Sequence, residues 1–155
     1  MHRSGSASED RPYLSVVIPA YNESQRLPGT LAVLMDYLRR FPHAWEVVVV
    51  DDGSTDDTAA VVSSHSESEP RIRLVRCGHR GKGAAVRLGF ARARGTILAI
   101  QDADLEYHPD YIPALVEPIV KGEKDVVYGS RLLASESVIF NRVYLWGNEF
   151  LTWSI

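Results

Sequence analysis

Apolar runs alternate along the chain with segments of helical periodicity, and this alternation predicts a βαβ fold. The runs Leu14–Ile18 and Glu46–Val50 predict two strands, and the second has the uninterrupted apolar character of a strand in the middle of a parallel sheet. Between them, leucines from Leu27 to Leu38 recur at spacings of four, three and four. This stripe predicts a helix that ends near Arg40, before a proline.

Further strands and helices are predicted downstream. Residues 72–75 alternate between apolar and basic side chains, which predicts a strand near an edge, and 97–100 predict a short strand buried on both faces. Residues 124–130 predict a fifth strand. Helices are predicted over 59–62 and beyond, over 84–94 and after Pro109, the last with an inner face of Ile112, Leu115, Val116 and Ile119.

These elements predict an α/β fold: a Rossmann-like, three-layer arrangement with a mostly parallel sheet and right-handed crossovers. The polar loops after the first, second and fourth strands then meet at the carboxyl edge of the sheet, where open parallel sheets bind ligands. We expect a polar, disordered leader over 1–11, a catalytic core over 12–134 and an amphipathic helix within 135–155. That last segment carries Ile139, Val143, Trp146, Phe150 and Trp153 at alternating spacings of four and three.

Composition and charge indicate a single globular domain and argue against some classes of function. The 155 residues suffice for one domain with a real core, and the net charge of −3 argues against a dedicated nucleic-acid binder. Residues 71–94 nevertheless hold basic side chains and no acid, which indicates either solvated faces or a phosphate- or membrane-facing surface. A single Cys77, no signal peptide and no apolar run of about 20 residues predict a cytoplasmic protein, peripheral on a membrane at most.

Two carboxylates, Asp102 and Asp104, directly follow the predicted strand 97–100. Residues i and i+2 of an extended backbone project to the same side, so both carboxylates can converge on one cation. Mg²⁺ and Mn²⁺ favour such oxygen ligands and leave room for substrate phosphates. A solvated turn is the alternative, although uncompensated carboxylates beside a buried strand are costly. An EF-hand is excluded, because Tyr107 and Pro113 stand where it needs glycine and glutamate.

A second acidic loop, which begins Asp51-Asp52-Gly53, follows the second strand. Ser54 and Asp57 have the spacing of a capping box, so the loop could be a turn with a helix cap. The functional interpretation, which we favour, is that Asp51 or Asp52 accepts hydrogen bonds from a base or ribose. Four histidines show no metal-ligand spacing and are interpreted as surface or loop residues: His43, His65, His79 and His108.

Two cationic positions could meet phosphate. Gly81-Lys82-Gly83 is neither a Walker loop nor a dinucleotide fingerprint, but it can present backbone N–H groups and a cation at a helix start. Arg131 follows the predicted fifth strand, where it is either a bidentate phosphate ligand or an ordinary surface arginine.

Together these segments resemble family 2 inverting glycosyltransferases of the GT-A fold, and within them the polyprenyl-phosphate mannose or glucose synthases. The matching segments are 16–23, 48–56, 80–85, 102–106 and 129–131. The resemblance covers about residues 13–133. It implies a sugar transfer, with inversion, from a UDP-glucose or GDP-mannose type donor to a polyprenyl phosphate at a membrane surface.

The resemblance also implies roles for individual residues, with Asp104 and Arg131 as catalytic residues. The residues that would bind the donor or the acceptor are Pro19, Tyr21, Glu23, Asp51, Asp52, Gly53, Lys82, Gly83, Asp102, Ala103, Asp104, Arg131 and Arg142. The resemblance implies that Asp102 and Asp104 bind a Mg²⁺ or Mn²⁺ ion, with Glu106 as a further ligand where some members carry glutamine.

Two alternatives stay open at this point. A saccharide hydroxyl acceptor would need a carboxylate base beyond this region, whereas a lipid phosphate is already an anion. The chain also ends within an apolar helical pattern, whereas members of the family continue with a strand and helices on the acceptor side. We therefore expect a truncated form, a fragment or a domain completed by a partner or a second copy. A nucleotide-sugar-binding module without turnover is the alternative function.

Overall fold

The computed structural model describes residues 11–104 and 111–128. Four strands and four helices alternate along this part of the chain. The strands are β1 (Leu14–Ala20), β2 (Trp45–Asp51), β3 (Ile72–Arg76) and β4 (Ile97–Ile100), and the helices are α1 (Leu27–Leu38), α2 (Thr58–Ser68), α3 (Lys82–Arg92) and α4 (Ile112–Val120). Every described strand pairing is parallel, in the order β3-β2-β1-β4, which confirms the predicted α/β architecture.

The sheet is buried at its centre because β1 and β2 are apolar on both faces. Every residue of β2 is buried, and so is every residue of β1 except Pro19. One layer of helices packs on the face that carries Val16 and Val49, and it consists of α1, α2 and α4. On the opposite face, α3 lies alone among the described helices, against Val17 and Val48. The predicted three layers are confirmed.

The leucine stripe of α1 forms the thickest part of the core. Leu27, Leu31, Leu34 and Leu38 are all fully buried. On the other face, Gly89 lets α3 approach the sheet closely, because a Cβ there would lie 2.3 Å from Cγ1 of Val17. Close contact of α3 with β1 and β2 fixes the start of this helix relative to the carboxyl edge of the sheet.

The strand order reverses between β1 and β4. The chain moves outward from β1 through β2 to β3, and then crosses back to add β4 on the other side of β1. In open parallel sheets such a reversal opens a crevice at the carboxyl ends of the two strands. The loops after β1 and β4, which contain Tyr21 and Asp102, flank this crevice.

Several sequence-based expectations need correction. β4 is not buried on both faces, because Leu98 and Ile100 remain 39% and 51% exposed. The reason is that β4 is an edge strand among the described residues, and α3 packs over β1 and β2 instead. The predicted fifth strand is absent over the described part, 124–128, where Tyr128 is 85% exposed and no neighbouring strand pairs with it.

Some helix boundaries also differ from prediction. α1 ends at Leu38 rather than near Arg40, and α3 starts at Lys82 rather than Ala84. The predicted capping box is wrong, because Ser54 makes no cap on α2 and bonds to the loop after β1 instead. Residues 1–10 of the predicted leader, Pro109 and the amphipathic segment 135–155 lie outside the described residues.

Candidate functional site

The loops that follow the strands enclose a cavity of about 290 Å³ at the carboxyl edge of the sheet. It is lined by residues from all four strand–helix connections within 11–104. These are Pro19, Ala20, Tyr21, Glu23, Asp52, His79, Gly81, Lys82, Ala85, Asp102, Ala103 and Asp104. The predicted convergence of motifs spread over some 80 residues of sequence is therefore observed.

The loops after β1 and β2 are joined by side-chain hydrogen bonds. Asn22 has a positive φ of 55°, and its backbone N–H donates to Ser54 Oγ at 3.0 Å. Its side-chain Oδ1 accepts from the backbone N–H of Thr55 at 2.8 Å. The N–H of Glu23 donates to Thr58 Oγ1 at 2.9 Å, which couples the loop to the first residue of α2. These bonds hold Tyr21 and Glu23 at the rim of the cavity.

Asp52 holds the loop after β3 against the loop after β2. Its carboxylate is buried and accepts from the backbone N–H groups of Arg80 at 2.9 Å and Gly81 at 2.8 Å. Burial raises the pKa of Asp52, but these bonds and the Cys77 thiol outweigh burial, so the pKa lies below its ordinary value. Gly81 has φ 87°, a conformation that favours glycine, and it leads directly into α3.

A stacked pair of rings forms one wall of the cavity. The rings of Tyr21 and His79 lie 4.1 Å apart between centroids, with an interplanar angle of 28°. His79 Nδ1 lies 3.0 Å from Asp52 Oδ2, so the same carboxylate orients the imidazole. Gly53 lies tightly against the backbone of His79, because a Cβ at position 53 would be only 2.7 Å from the His79 nitrogen.

Asp51 is fully buried and lies behind the cavity rather than in its lining. Its Oδ1 accepts from the backbone N–H of Ser54 at 2.9 Å. Its Oδ2 lies 3.4 Å from Arg76 Nε but has no hydrogen-bond partner among the described residues. Such an orphaned buried acceptor is costly, so it suits a donor group that arrives with a ligand.

The acidic turn after β4 faces a cation. Lys82 Nζ lies 2.6 Å from Asp102 Oδ1. The Thr30 hydroxyl, buried in α1, donates to the Ala103 carbonyl at 2.6 Å, which fixes the backbone between Asp102 and Asp104. Asp104 is exposed at the cavity edge.

The donor set at this turn fits a hard divalent cation. Within the described residues, no group of three or more acidic, histidine or cysteine side chains is arranged as a complete metal site. Asp102 and Asp104 supply carboxylate oxygens at this turn, and Mg²⁺ commonly binds through one or two carboxylates plus substrate phosphates. The third predicted ligand, Glu106, lies outside the described residues.

The predicted site residues are thus only partly assembled in the cavity. Its lining includes Pro19, Tyr21, Glu23, Asp52, Lys82, Asp102, Ala103 and Asp104. Asp51, Gly53 and Gly83 do not line it, and Arg131 and Arg142 lie outside the described residues. Sequence reasoning missed Thr30 and interpreted His79 as a plain loop residue, although the glycine-flanked loop 78–83 was a signal for the latter.

Comparison with known proteins identifies the family. Glycosyl transferase family 2 matches residues 15–152. A dolichyl-phosphate beta-glucosyltransferase of Trichomonas vaginalis is 37% identical over 148 residues, which cover 88% of this chain and 45% of that protein. An undecaprenyl-phosphate 4-deoxy-4-formamido-L-arabinose transferase of Pseudomonas fluorescens is 39% identical over 106 residues, covering 67% of this chain and 31% of that protein.

Solved structures show the same fold. A mannosyltransferase from Pyrobaculum calidifontis, in complex with GDP-mannose and Mn²⁺, matches with a TM-score of 0.59 and 35% identity over 69% of this chain and 32% of its own. Glucosyl-3-phosphoglycerate synthase from Mycobacterium tuberculosis, in complex with Mn²⁺, UDP and its product, matches with a TM-score of 0.59 and 28% identity over 79% of this chain and 47% of its own.

The chain spans less than half of the length of each of these four proteins. None of the helices within 11–104 and 111–128 has the length and apolar character needed to cross a bilayer. The match over residues 15–152, together with the parallel sheet and the cavity at its carboxyl edge, shows that the chain belongs to glycosyl transferase family 2 and carries the GT-A fold.

Proposed function

We propose that the protein transfers a sugar from a nucleoside diphosphate donor to a polyprenyl phosphate, with inversion at the anomeric carbon and with Mg²⁺ or Mn²⁺ as cofactor. The observation that carries this proposal is the direct pairing of Asp102 with Lys82 in the lining of a cavity that Asp104 borders. Acidic and basic groups at one edge suit a diphosphate and its metal. The lipid-phosphate transferases among the relatives support the acceptor class.

Residues on the β1 and β2 side would hold the nucleoside. Tyr21 offers an aromatic face and Glu23 offers a carboxylate acceptor for ribose or base donors, while Asp52 holds the loop that carries His79 and Gly81 beside them. The unsatisfied Oδ2 of Asp51 fits an N–H of the base if the loop around Arg76 shifts on binding. UDP-glucose and GDP-mannose both satisfy this description.

Residues on the β4 and α3 side would hold the diphosphate. Asp102 and Asp104 would hold the divalent ion, which when bound neutralises charge on the departing diphosphate. Lys82 supplies a mobile ammonium, and the N–H groups at the start of α3 point toward the same edge. Arg131 and Arg142 are proposed as further phosphate ligands.

The chemistry then needs no strong base. A phosphate oxygen of the acceptor attacks the anomeric carbon, and the bond from that carbon to the β-phosphate oxygen breaks on the opposite face. The electron pair leaves with the nucleoside diphosphate, and no proton changes place. Lys82 stabilises the leaving group, while Tyr21 and the carboxylates hold the donor in line.

The test is transfer from radiolabelled UDP-glucose or GDP-mannose to undecaprenyl phosphate with Mn²⁺, followed by extraction of the lipid. We expect labelled lipid from one donor, loss of label with EDTA, and loss in Asp104→Asn but not in Asp125→Asn, an exposed acid outside the cavity. NMR of the product reports the anomeric configuration. Label on an alkyl glucoside instead of the lipid would favour a hydroxyl acceptor, and donor binding without any transfer would favour a binding module.

A further inference from the structure

Three exposed arginines, called here the arginine row, lie on α3 and in the segments at its two ends. Arg87 lies in the middle of the helix, and Arg80 and Arg94 flank it just beyond its two ends. Arg87 projects from the helix itself, whereas Arg80 and Arg94 stand in the segments that lead into and out of it, since Gly81 and Ala93 do not have helical backbone angles. All three side chains are exposed, whereas Ala85 and Gly89 of α3 are buried against the sheet.

These arginines, like Arg92 near the end of α3, have no acidic partner among the described residues, unlike the other basic residues of this segment. Four others between 71 and 94 are neutralised within the fold: Arg71 by Glu69, Arg73 by Glu46, Arg76 by Asp51 and Lys82 by Asp102. Among residues 11–104 and 111–128, no carboxylate lies within 4.0 Å of the side-chain nitrogens of Arg80, Arg87 or Arg94. The row is therefore a positive surface on a chain whose net charge is −3.

We propose that this arginine row, Arg80, Arg87 and Arg94, docks the protein on the anionic phosphate headgroups of a lipid bilayer. The inference rests in part on the proposed function, since a polyprenyl phosphate acceptor lies in a bilayer. A guanidinium pairs with a phosphate through two parallel hydrogen bonds, which suits headgroups spread over a plane. Small exposed residues between the arginines, Gly83 and Ala91, let the helix approach that plane closely.

Docking through the arginine row would place the cavity next to the bilayer. α3 begins at Lys82, which lines the cavity and contacts Asp102. A bilayer in contact with α3 would therefore lie beside the entrance for a lipid-borne phosphate. A nucleic acid is the less favoured partner, because the proposed acceptor lies in a bilayer and α3 begins beside the cavity that would receive it.

The test is sedimentation of the full chain with vesicles of phosphatidylcholine, with and without phosphatidylglycerol, in the absence of any donor. Arg87→Gln/Arg94→Gln is compared with Arg39→Gln/Arg40→Gln, which removes the same charge from exposed positions at the end of α1, on the other face of the sheet. An arginine near an anionic surface contributes about fivefold in binding, so we expect the α3 variant to bind roughly 25-fold more weakly. The α1 variant should bind as the wild type does, and added salt should weaken wild-type binding.

Several results would overturn the proposal: no binding of the wild type to anionic vesicles, equal weakening in both double variants, or unchanged binding in the α3 variant. Binding to an RNA oligonucleotide that depends on α3, without vesicle binding, would assign the row to nucleic acid. Because the measurement needs neither donor nor turnover, its outcome is separate from that of the transfer assay. Matching thermal melts would show that both variants are folded.

Discussion

The hydroxyl of Thr30 donates a 2.6 Å hydrogen bond to the carbonyl oxygen of Ala103, across 73 positions of sequence. Both residues are buried, and Ala103 is the middle residue of the acidic turn after β4. The bond ties the first helix of the fold to the turn that carries Asp102 and Asp104. The direction of both carboxylates thus depends on a residue of α1 that lies outside the cavity lining.

Replacing Thr30 with valine keeps the shape of the side chain and removes this donor. A buried carbonyl left unpaired costs about 1–3 kcal/mol, so the turn should shift toward another donor. We expect Thr30→Val to weaken Mn²⁺-dependent donor binding about tenfold by calorimetry, and Thr30→Ser to restore it. If the valine variant bound donor as tightly as the wild type, Thr30 would have no positioning role.

Replacing Lys82 should raise the affinity for the metal ion and lower the affinity for the donor. The Lys82 ammonium lies 2.6 Å from Asp102 Oδ1, where it would compete with a cation for that oxygen. Lys82→Met should therefore bind Mn²⁺ alone more tightly. It should bind the nucleotide sugar at least about tenfold more weakly, because a charge-assisted bond to phosphate is lost.

Calorimetric titrations of Mn²⁺ and of donor into the same variant separate these two effects. Lys121→Met is the control, since Lys121 pairs with Glu117 on α4, away from the cavity. A parallel loss of both affinities in Lys82→Met would contradict the assignment of Lys82 to the diphosphate.

The stacked pair of Tyr21 and His79 predicts a nucleoside-binding wall that depends on the histidine. Removing the imidazole leaves the tyrosine ring without its neighbour, and aromatic pairs contribute about 0.5–1.5 kcal/mol. We expect His79→Ala to weaken binding of UDP or GDP several-fold. His43→Ala is the matched control and should leave affinity unchanged, because the His43 ring contacts Tyr13 at a centroid distance of 4.6 Å, outside the cavity lining.

Glu46 predicts how stability depends on pH. It lies buried at the start of β2, where it accepts from Ser15 Oγ at 2.8 Å, Arg73 Nη1 at 2.7 Å and the backbone N–H of Arg94 at 2.6 Å. Burial raises the pKa of Glu46, but these bonds outweigh it, so the pKa lies below the ordinary value of 4.5. The ionised form therefore stabilises the fold above about pH 4.5, and that contribution is lost as the pH falls through the lower, folded-state pKa.

Glu46→Gln should remove this pH-dependent contribution. We expect the variant to be less stable at pH 7 by about 3 kcal/mol, because Arg73 loses its charged partner, and to lose less stability than the wild type on acidification. Urea unfolding at pH 7 and in steps below pH 4.5 measures both. Glu117→Gln, at an exposed pair on α4, should unfold as the wild type does, and an equally steep acid loss in Glu46→Gln would show that Glu46 is not responsible.

The apolar pattern predicted the sheet and its helices because periodicity and burial go together. The apolar residues 47–50 lie in β2, one of the two inner strands of the described sheet, and the leucine stripe forms the buried face of α1. The pattern failed where burial depends on neighbours that sequence does not show. Ile100 is as apolar as any core residue, yet it lies on β4, which is an edge strand among the described residues and is not covered by α3.

The candidate site was predictable to the extent that strand ends carry the chemistry. Asp102 and Asp52 stand directly after strands, so topology alone brought them to one cavity. The bonds of Thr30 to Ala103 and of Asp52 to Gly81 join distant residues through one hydroxyl or carboxylate, which no local pattern encodes. Sequence also could not show that Asp51 is fully buried behind the cavity that Asp52 lines.

The most direct measurement of the central claim is calorimetric titration of UDP-glucose and GDP-mannose into the protein, with Mn²⁺ and with EDTA, repeated on Asp104→Ala and on Asp125→Ala. The account predicts binding of one donor that requires Mn²⁺, is lost in Asp104→Ala and is kept in Asp125→Ala. Donor binding that is unchanged by EDTA and by Asp104→Ala would contradict a metal-dependent diphosphate site at the end of β4, and so would the absence of binding by either donor to the folded protein.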